Sequence, residues 1–309
     1  MSAEVLDVDA VYAARDPAAV EIEEITVERF GGDMGELLAI AITDRLEEVR
    51  LDSRPYFTVK SGSPGGNTYN IYGAAGAPAA EPTPKAATLR GTASEQRSDT
   101  RDGEKKVTRC LKRDDRKKCI EETVDVFACR KLTVTLQPVL RLIAREGGTL
   151  YAAEDTLLRS QRYCADERGK PSATDMTQSL VDEFAGRVRL DLAPEYRHEE
   201  VRIMESRKGL SKADSGAFKD AVRLTKSDQE AACARFAEML AVYPEHSSVA
   251  FNAGLCAERE GRLEDAAGLY GRVMATSEGR DYARAGLDRV DSQIEAERQL
   301  ERRYAAGRS

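Results

Sequence analysis

The sequence has no tryptophan, and only two of its 309 residues are histidine, His198 and His246. They stand far apart and without a partner motif, which leaves His-based catalytic triads and most zinc chemistry without support. None of the six cysteines forms a Cys-x-x-Cys pair, so zinc ribbons and thioredoxin-type redox motifs are excluded. The longest apolar run, around Leu37 to Ile42, falls far short of the ~20 residues of a membrane-spanning helix. A multi-span membrane protein is excluded, and with 33% charged residues the chain reads as soluble. A net charge of −7 speaks against a nucleic-acid binder held by overall charge.

What is present is six cysteines: Cys110, Cys119, Cys129, Cys164, Cys233 and Cys256. Cys110 and Cys119 lie symmetrically about Asp114-Asp115, a turn candidate between two strands. Cys129 and Cys164 are symmetric about Glu146-Gly147, within the turn signal Arg145-Glu-Gly-Gly148. That hairpin register sets Leu142 opposite Tyr151, Leu140 opposite Ala153 and Leu136 opposite Leu157, which are sensible apolar cross-strand pairs. Further out it sets Val134 against Arg159, where a bulge could shift it. Cys233 and Cys256 fall on two helices expected to pack together. The alternative is six reduced cysteines acting as small apolar fillers in a cytosolic protein.

Length is about twice the ~150 residues of a typical domain, so two domains are expected. The start, Met1-Ser-Ala-Glu-Val-Leu-Asp7, has no basic or apolar leader pattern and no lipobox-type cysteine. It fits either a cytosolic protein or a mature segment whose leader was replaced by an initiator methionine. Residues 1–19, acidic and Ala-rich, read as a tether. Val20 to Arg29 reads as a strand, and Asp33 with Glu36 as a capping box opening a helix to about Val49. Tyr56-Phe-Thr-Val59 and Thr68 to Tyr72 read as strands, and Gly73 to Ala87 as a loop. Ala87 to Ala93 begins a strand, followed by a charged stretch to Lys118 and an antiparallel meander to Cys164. Thr174 to Leu192 is an amphipathic helix stopped by Pro194, and Val201 to Met204 a last strand. Residues 20–206 are thus expected as one α/β layer domain, with a mixed or antiparallel sheet and flanking helices: an α+β chain overall.

Residues 207–309 read as all-α. Ala250-Phe-Asn-Ala-Gly254, Ala257, Gly261, Ala266, Tyr270 and Val273 follow tetratricopeptide spacing. One ~34-residue period earlier stand Ala232, Phe236, Leu240 and then Pro244. The predicted repeat-packing set is Ala232, Phe236, Ala253, Gly254, Ala257, Ala266 and Tyr270. Asp281 to Arg303 is expected as a solvating cap helix.

The first domain also resembles a known pattern. Phe30, Leu37, Leu38, Ala39, Ile42, Leu46 and Phe57-Thr-Val59 match the α/β module of curli-production assembly lipoproteins, penicillin-binding-protein activator lipoproteins and the amino-terminal domain of the Tol-system propeller. Leu89-Arg-Gly-Thr92, the hairpin from Leu140 to Leu150 and the helix ending at Pro194 extend the resemblance over roughly residues 20–204. It implies a non-enzymatic role in assembling, regulating or connecting parts of the bacterial cell envelope. The middle strands carry charge throughout and lack the lipid-facing alternation of a membrane barrel, so a secretion pore is not expected.

Residues 105–118 hold Lys105, Lys106, Arg109, Lys112, Arg113, Arg116, Lys117 and Lys118 against Asp114 and Asp115. Such a segment suits lipid headgroups, lipopolysaccharide or an acidic partner, or is simply a solvated hairpin tip. No aromatic residues interleave for base stacking, so nucleic acid is not expected. Ser61-Gly-Ser-Pro-Gly-Gly66 lacks both the dinucleotide fingerprint and a Walker lysine. No catalytic, cofactor or metal site is assigned. The expectation is a non-catalytic envelope adaptor, periplasmic or outer-membrane-associated and not membrane-spanning, that binds a protein partner through its helical repeats. The alternative is a cytosolic scaffold built on the same repeats. A homo-oligomer is compatible with either.

Overall fold

The structure, a computed structural model, describes residues 4–51, 53–62 and 85–306. The elements begin with β1 (Val5–Tyr12), β2 (Glu24–Glu28), α1 (Gly35–Glu47), the two-residue strands β3 (Arg50–Leu51) and β4 (Arg54–Pro55), and β5 (Thr58–Gly62). Next come β6 (Ala86–Arg113), β7 (Cys119–Ala144), β8 (Thr149–Glu154), β9 (Leu157–Cys164), α2 (Ala173–Leu192) and β10 (Glu195–Arg202). Five helices follow: α3 (Lys212–Leu224), α4 (Gln229–Val242), α5 (Ser247–Arg259), α6 (Leu263–Met274) and α7 (Arg280–Ala306).

The chain divides into two compact units. One runs from Glu21 to Asp191; the other joins the chain's start, up to Val20, with everything from Leu192 on. This corrects the expected boundaries at 19 and 206. Residues read as a tether form β1, which pairs antiparallel with β10 from Val5↔Arg202 to Tyr12↔Glu195. Leu6, Val8 and Tyr12 alternate into the core while Asp7 and Asp9 face out, the period-2 pattern of a half-buried strand. Burying Leu6 and Val8 favours the strand over a solvated tether by roughly 1.5–3 kcal/mol each.

The Glu21–Asp191 unit is built on a mixed sheet in the order β5-β2-β6-β7-β8, with β9 also pairing β7. β2 lies parallel to β5 and β6, whereas β6, β7 and the β8–β9 return are antiparallel. Helix α1 packs on β2, β5 and β6 through Leu38, Ile42 and Leu46, all fully buried. The expected capping box does not form: the Asp33 carboxylate accepts instead from the Glu95 N–H at 3.1 Å. Helix α2 buries Met176, Leu180, Phe184 and Val188, and its Asp191 accepts from the Tyr151 hydroxyl at 2.8 Å. The predicted strand at Thr68 to Tyr72 and most of the predicted Gly73 to Ala87 loop lie outside the described residues; Ala86 and Ala87 already belong to β6.

The hairpin register is the expected one, with Leu142↔Tyr151, Leu140↔Ala153, Leu136↔Leu157 and Cys129↔Cys164. The return strand breaks between β8 and β9 at Asp155 and Thr156. Asp155 N–H donates to the Pro138 carbonyl at 3.2 Å, but proline has no N–H to return, so the ladder lapses there.

In the other unit α3 to α7 pack in sequence order. Helix α5 is buried from Ser248 to Glu258 on every face, because α4, α6, α7 and β1 surround it.

Candidate functional site: a disulfide-bounded β-arm

β6 and β7 are 28 and 26 residues long, a contour of about 90 Å at ~3.3 Å per residue, against a common strand length of ~3–10 residues. β9 accompanies β7 only as far as Cys129. Beyond that point, from Glu104↔Ala128 to Arg113↔Cys119, the two strands run on as a ribbon about 30 Å long with no third strand among the described residues. Two-stranded ribbons are marginal by themselves, and disulfides bound this one at both ends. Cys129–Cys164 ties its root to β9, with Cα atoms 4.0 Å apart, and Cys110–Cys119 closes its far end, with Cα atoms 5.8 Å apart. The third bridge, Cys233–Cys256, links α4 to α5. These are the three pairs expected from turn symmetry and helix packing. Three disulfides point to an oxidising, extracytoplasmic environment.

The root carries a charged knot. Asp99 receives Lys170 at 2.7 Å, Arg130 at 2.9 Å and the Tyr163 hydroxyl at 2.8 Å. Lys170 foremost, then Tyr163 and Arg130, hold its carboxyl far below the usual carboxylate range. Lys105 pairs with Asp166 at 2.8 Å and Glu167 at 3.4 Å, and these partners raise its pKa. Cys164, Asp166 and Glu167 are close enough to suggest a metal site. The sulfur is committed to the disulfide and the carboxylates to Lys105, so the cluster is structural.

Along the arm, Arg109 pairs with Asp125 at 2.9 Å. At the tip, Asp114 accepts from the N–H groups of Arg116 and Lys118, at 2.9 and 2.8 Å, which sets the turn. Arg113 donates to the Lys117 carbonyl. Lys106, Lys112, Arg116, Lys117 and Lys118 form no ion pair with any described residue. The predicted basic segment is therefore two things: Lys105 and Arg109 brace the arm, and the remainder projects. Leu111 and Ile120 are each passed over in the pairing by a register shift and stand 53% and 56% exposed among these cations.

The predicted repeat-packing residues Ala232, Phe236, Ala253, Gly254, Ala257, Ala266 and Tyr270 are all buried in one core cluster of helices and β1. A Cβ on Gly286 would stand 2.7 Å from the Tyr270 ring, too close to be accommodated without a shift, and one on Gly254 would stand 3.0 Å from it, a tight contact. Sequence reasoning missed a polar network there. Glu258 accepts from Tyr270 at 2.6 Å, from Gln293 at 2.9 Å and from both arms of Arg289 at 2.8 and 2.7 Å. Burial, then the Glu258 charge, pushes the Tyr270 hydroxyl far above its ordinary pKa.

Two side-chain amides hold non-helical backbone in this same unit. Asn252 accepts from the Met204 N–H and donates to its carbonyl, both at 2.9 Å. Gln299 does the same for Ala14, at 2.8 and 2.9 Å. The C-terminal helices, expected to receive a partner, thus already grip two segments of their own chain. The signal for this was the Leu6, Val8, Ala10, Tyr12 alternation, masked by the acidic residues between them. His198 is on β10, exposed, with Nδ1 2.9 Å from an Asp9 oxygen that also accepts from Tyr196. His246 caps α5, its Nδ1 3.4 Å from the Val249 N–H.

Among the described residues no helix is long and apolar enough to cross a membrane. No protein-family profile and no curated protein matches the chain. Among solved structures, one described as a neuraminyllactose-binding hemagglutinin homolog from Helicobacter pylori aligns over 64% of this chain and 88% of that one. The identity is 6% and the TM-score 0.27, a likeness that carries no argument.

Proposed function

We propose that this protein is a non-catalytic adaptor or assembly factor of the bacterial cell envelope, acting in the periplasm or at the outer membrane. The observation that carries the reading is the arm. A two-stranded ribbon that leaves its sheet, buries no core of its own and is bridged by a disulfide at each end serves contact with something outside the fold. Val124 and Val126 remain exposed along it, and among the described residues no further strand pairs with either of its edges beyond Cys129, where the Ala165 N–H still reaches the Ala128 carbonyl. Such edges accept added strands, with lysines limiting indiscriminate pairing.

The C-terminal helices supply the second contact. Their sequential packing, their 12 to 14 residue lengths in α3 to α6 and the close helix approach at Gly254 support a tetratricopeptide-like arrangement. Since β1 and the Met204 segment occupy much of α5, the partner surface is the outer one, around α3 and α4. There Ala217, Leu224, Arg235, Glu238 and Met239 line a small cleft, and Val242 is exposed.

Photo-crosslinking residues placed at Val126 and Val242 test this in living cells. Discrete adducts with one or more envelope proteins are expected. No adduct from either position would overturn the adaptor reading. Adducts with cytosolic proteins alone would replace it with a cytosolic scaffold.

A further inference from the structure

We infer that the tip of the β-arm docks on the anionic surface of a lipid bilayer. The inference rests on the adaptor reading only in treating the arm as a contact surface. Lys112, Arg113, Arg116, Lys117 and Lys118 crowd one narrow turn, and of the two acids between them Asp114 is occupied in holding that turn. Each lysine or arginine near an anionic membrane adds attraction that falls off within a Debye length.

That length, about 8 Å at physiological salt, decides a second point. The protein is acidic overall, and an acidic body near an anionic membrane would be repelled. The tip is about 30 Å of ribbon away from the last three-stranded part of its sheet, several Debye lengths from the carboxylates at the root. At the surface the cations therefore act apart from the carboxylates at the root. The remaining acids close by are Asp115, Glu121 and Glu122, and Glu121 lies opposite Lys112.

The third point is apolar. Leu111 and Ile120 stand exposed next to the cations, without a core to bury them. Apolar side chains ringed by lysine and arginine suit the boundary between headgroups and acyl chains, where the cations stay with phosphate. A convex finger cannot enclose a small ligand, and an acidic protein pocket would leave these two side chains without a role. A lateral, deformable, polyanionic surface satisfies both sets at once.

Co-sedimentation of the full chain with vesicles tests the inference. Vesicles of phosphatidylcholine are compared with vesicles of phosphatidylcholine and phosphatidylglycerol. Binding to the anionic vesicles only, weakening as salt is raised, is expected. The pair Lys117→Glu with Lys118→Glu should lower affinity about ten-fold or more. Leu111→Ser with Ile120→Ser should lower it less and leave a binding fraction more sensitive to salt. These residues are exposed, and an unchanged circular dichroism spectrum confirms folding. No binding to anionic vesicles, equal binding to neutral ones, or binding indifferent to the tip changes would each overturn lipid docking. An envelope-protein adduct at Val126 without vesicle binding would leave the adaptor standing and remove the lipid; vesicle binding without any adduct would do the reverse.

Discussion

Cys129 stands directly opposite Cys164, and their disulfide marks the point where a three-stranded region ends and a two-stranded arm begins. A cross-link at that point holds β7 to β9 where the arm begins. The second bridge, Cys110–Cys119, joins the two ribbon strands near the turn, so the ribbon cannot fray from its tip.

The two bridges should separate in experiment. By loop-entropy reasoning, closing the 35-residue separation of Cys129–Cys164 stabilises by about 4 kcal/mol and the 9-residue separation of Cys110–Cys119 by about 2.5 kcal/mol. Cys129→Ser with Cys164→Ser should lower the Tm of the Glu21–Asp191 unit. Cys110→Ser with Cys119→Ser should lower that Tm by less, and should expose the arm to limited proteolysis, because fraying there is local.

Glu258 and Arg289 form the most deeply buried ion pair among those described, with side chains 0% and 14% exposed. Removing one partner leaves the other charge uncompensated, so Glu258→Ala should cost about 3–5 kcal/mol. Urea unfolding measures this, and a loss under 1 kcal/mol would show the network to be dispensable.

Asn252→Ala strands the buried N–H and carbonyl of Met204, at about 1–3 kcal/mol for each group left unpaired. Hydrogen exchange at the Met204 amide should accelerate strongly, while that at Ala14, held by Gln299, should not.

The Asp9 hydrogen bond, foremost, raises the His198 pKa above its ordinary 6.5. A raised folded-state value means the protonated pair stabilises folding below that ordinary value and ceases to do so as pH rises through the folded one. An NMR titration should place the His198 midpoint above 6.5, and Asp9→Asn should bring it back down.

Much of this was readable in the sequence where one pattern acted alone. A turn signal with symmetric apolar pairs pointed to the β7 register that forms, and with it to Cys129–Cys164 as a candidate pair. Buried spacing in Ala232, Phe236, Ala257 and Tyr270 located the paired helices. Illegible parts were those where two signals compete. The alternation in β1 is interrupted by Asp7 and Asp9, so composition suggested a tether. Residues 94–109 of β6 have almost no apolar face, so they read as a charged stretch; backbone pairing and cross-links hold that strand, and neither shows as hydrophobic periodicity. Asp33 was a sound cap candidate, but a distant N–H, that of Glu95, claims its carboxylate.

The most direct test is a count of free thiols on protein taken from its native cells, alkylated while denatured and unreduced. The account predicts none, with peptide mapping returning Cys110–Cys119, Cys129–Cys164 and Cys233–Cys256. Six free thiols would contradict it, placing the protein in a reducing compartment and leaving the arm without its locks.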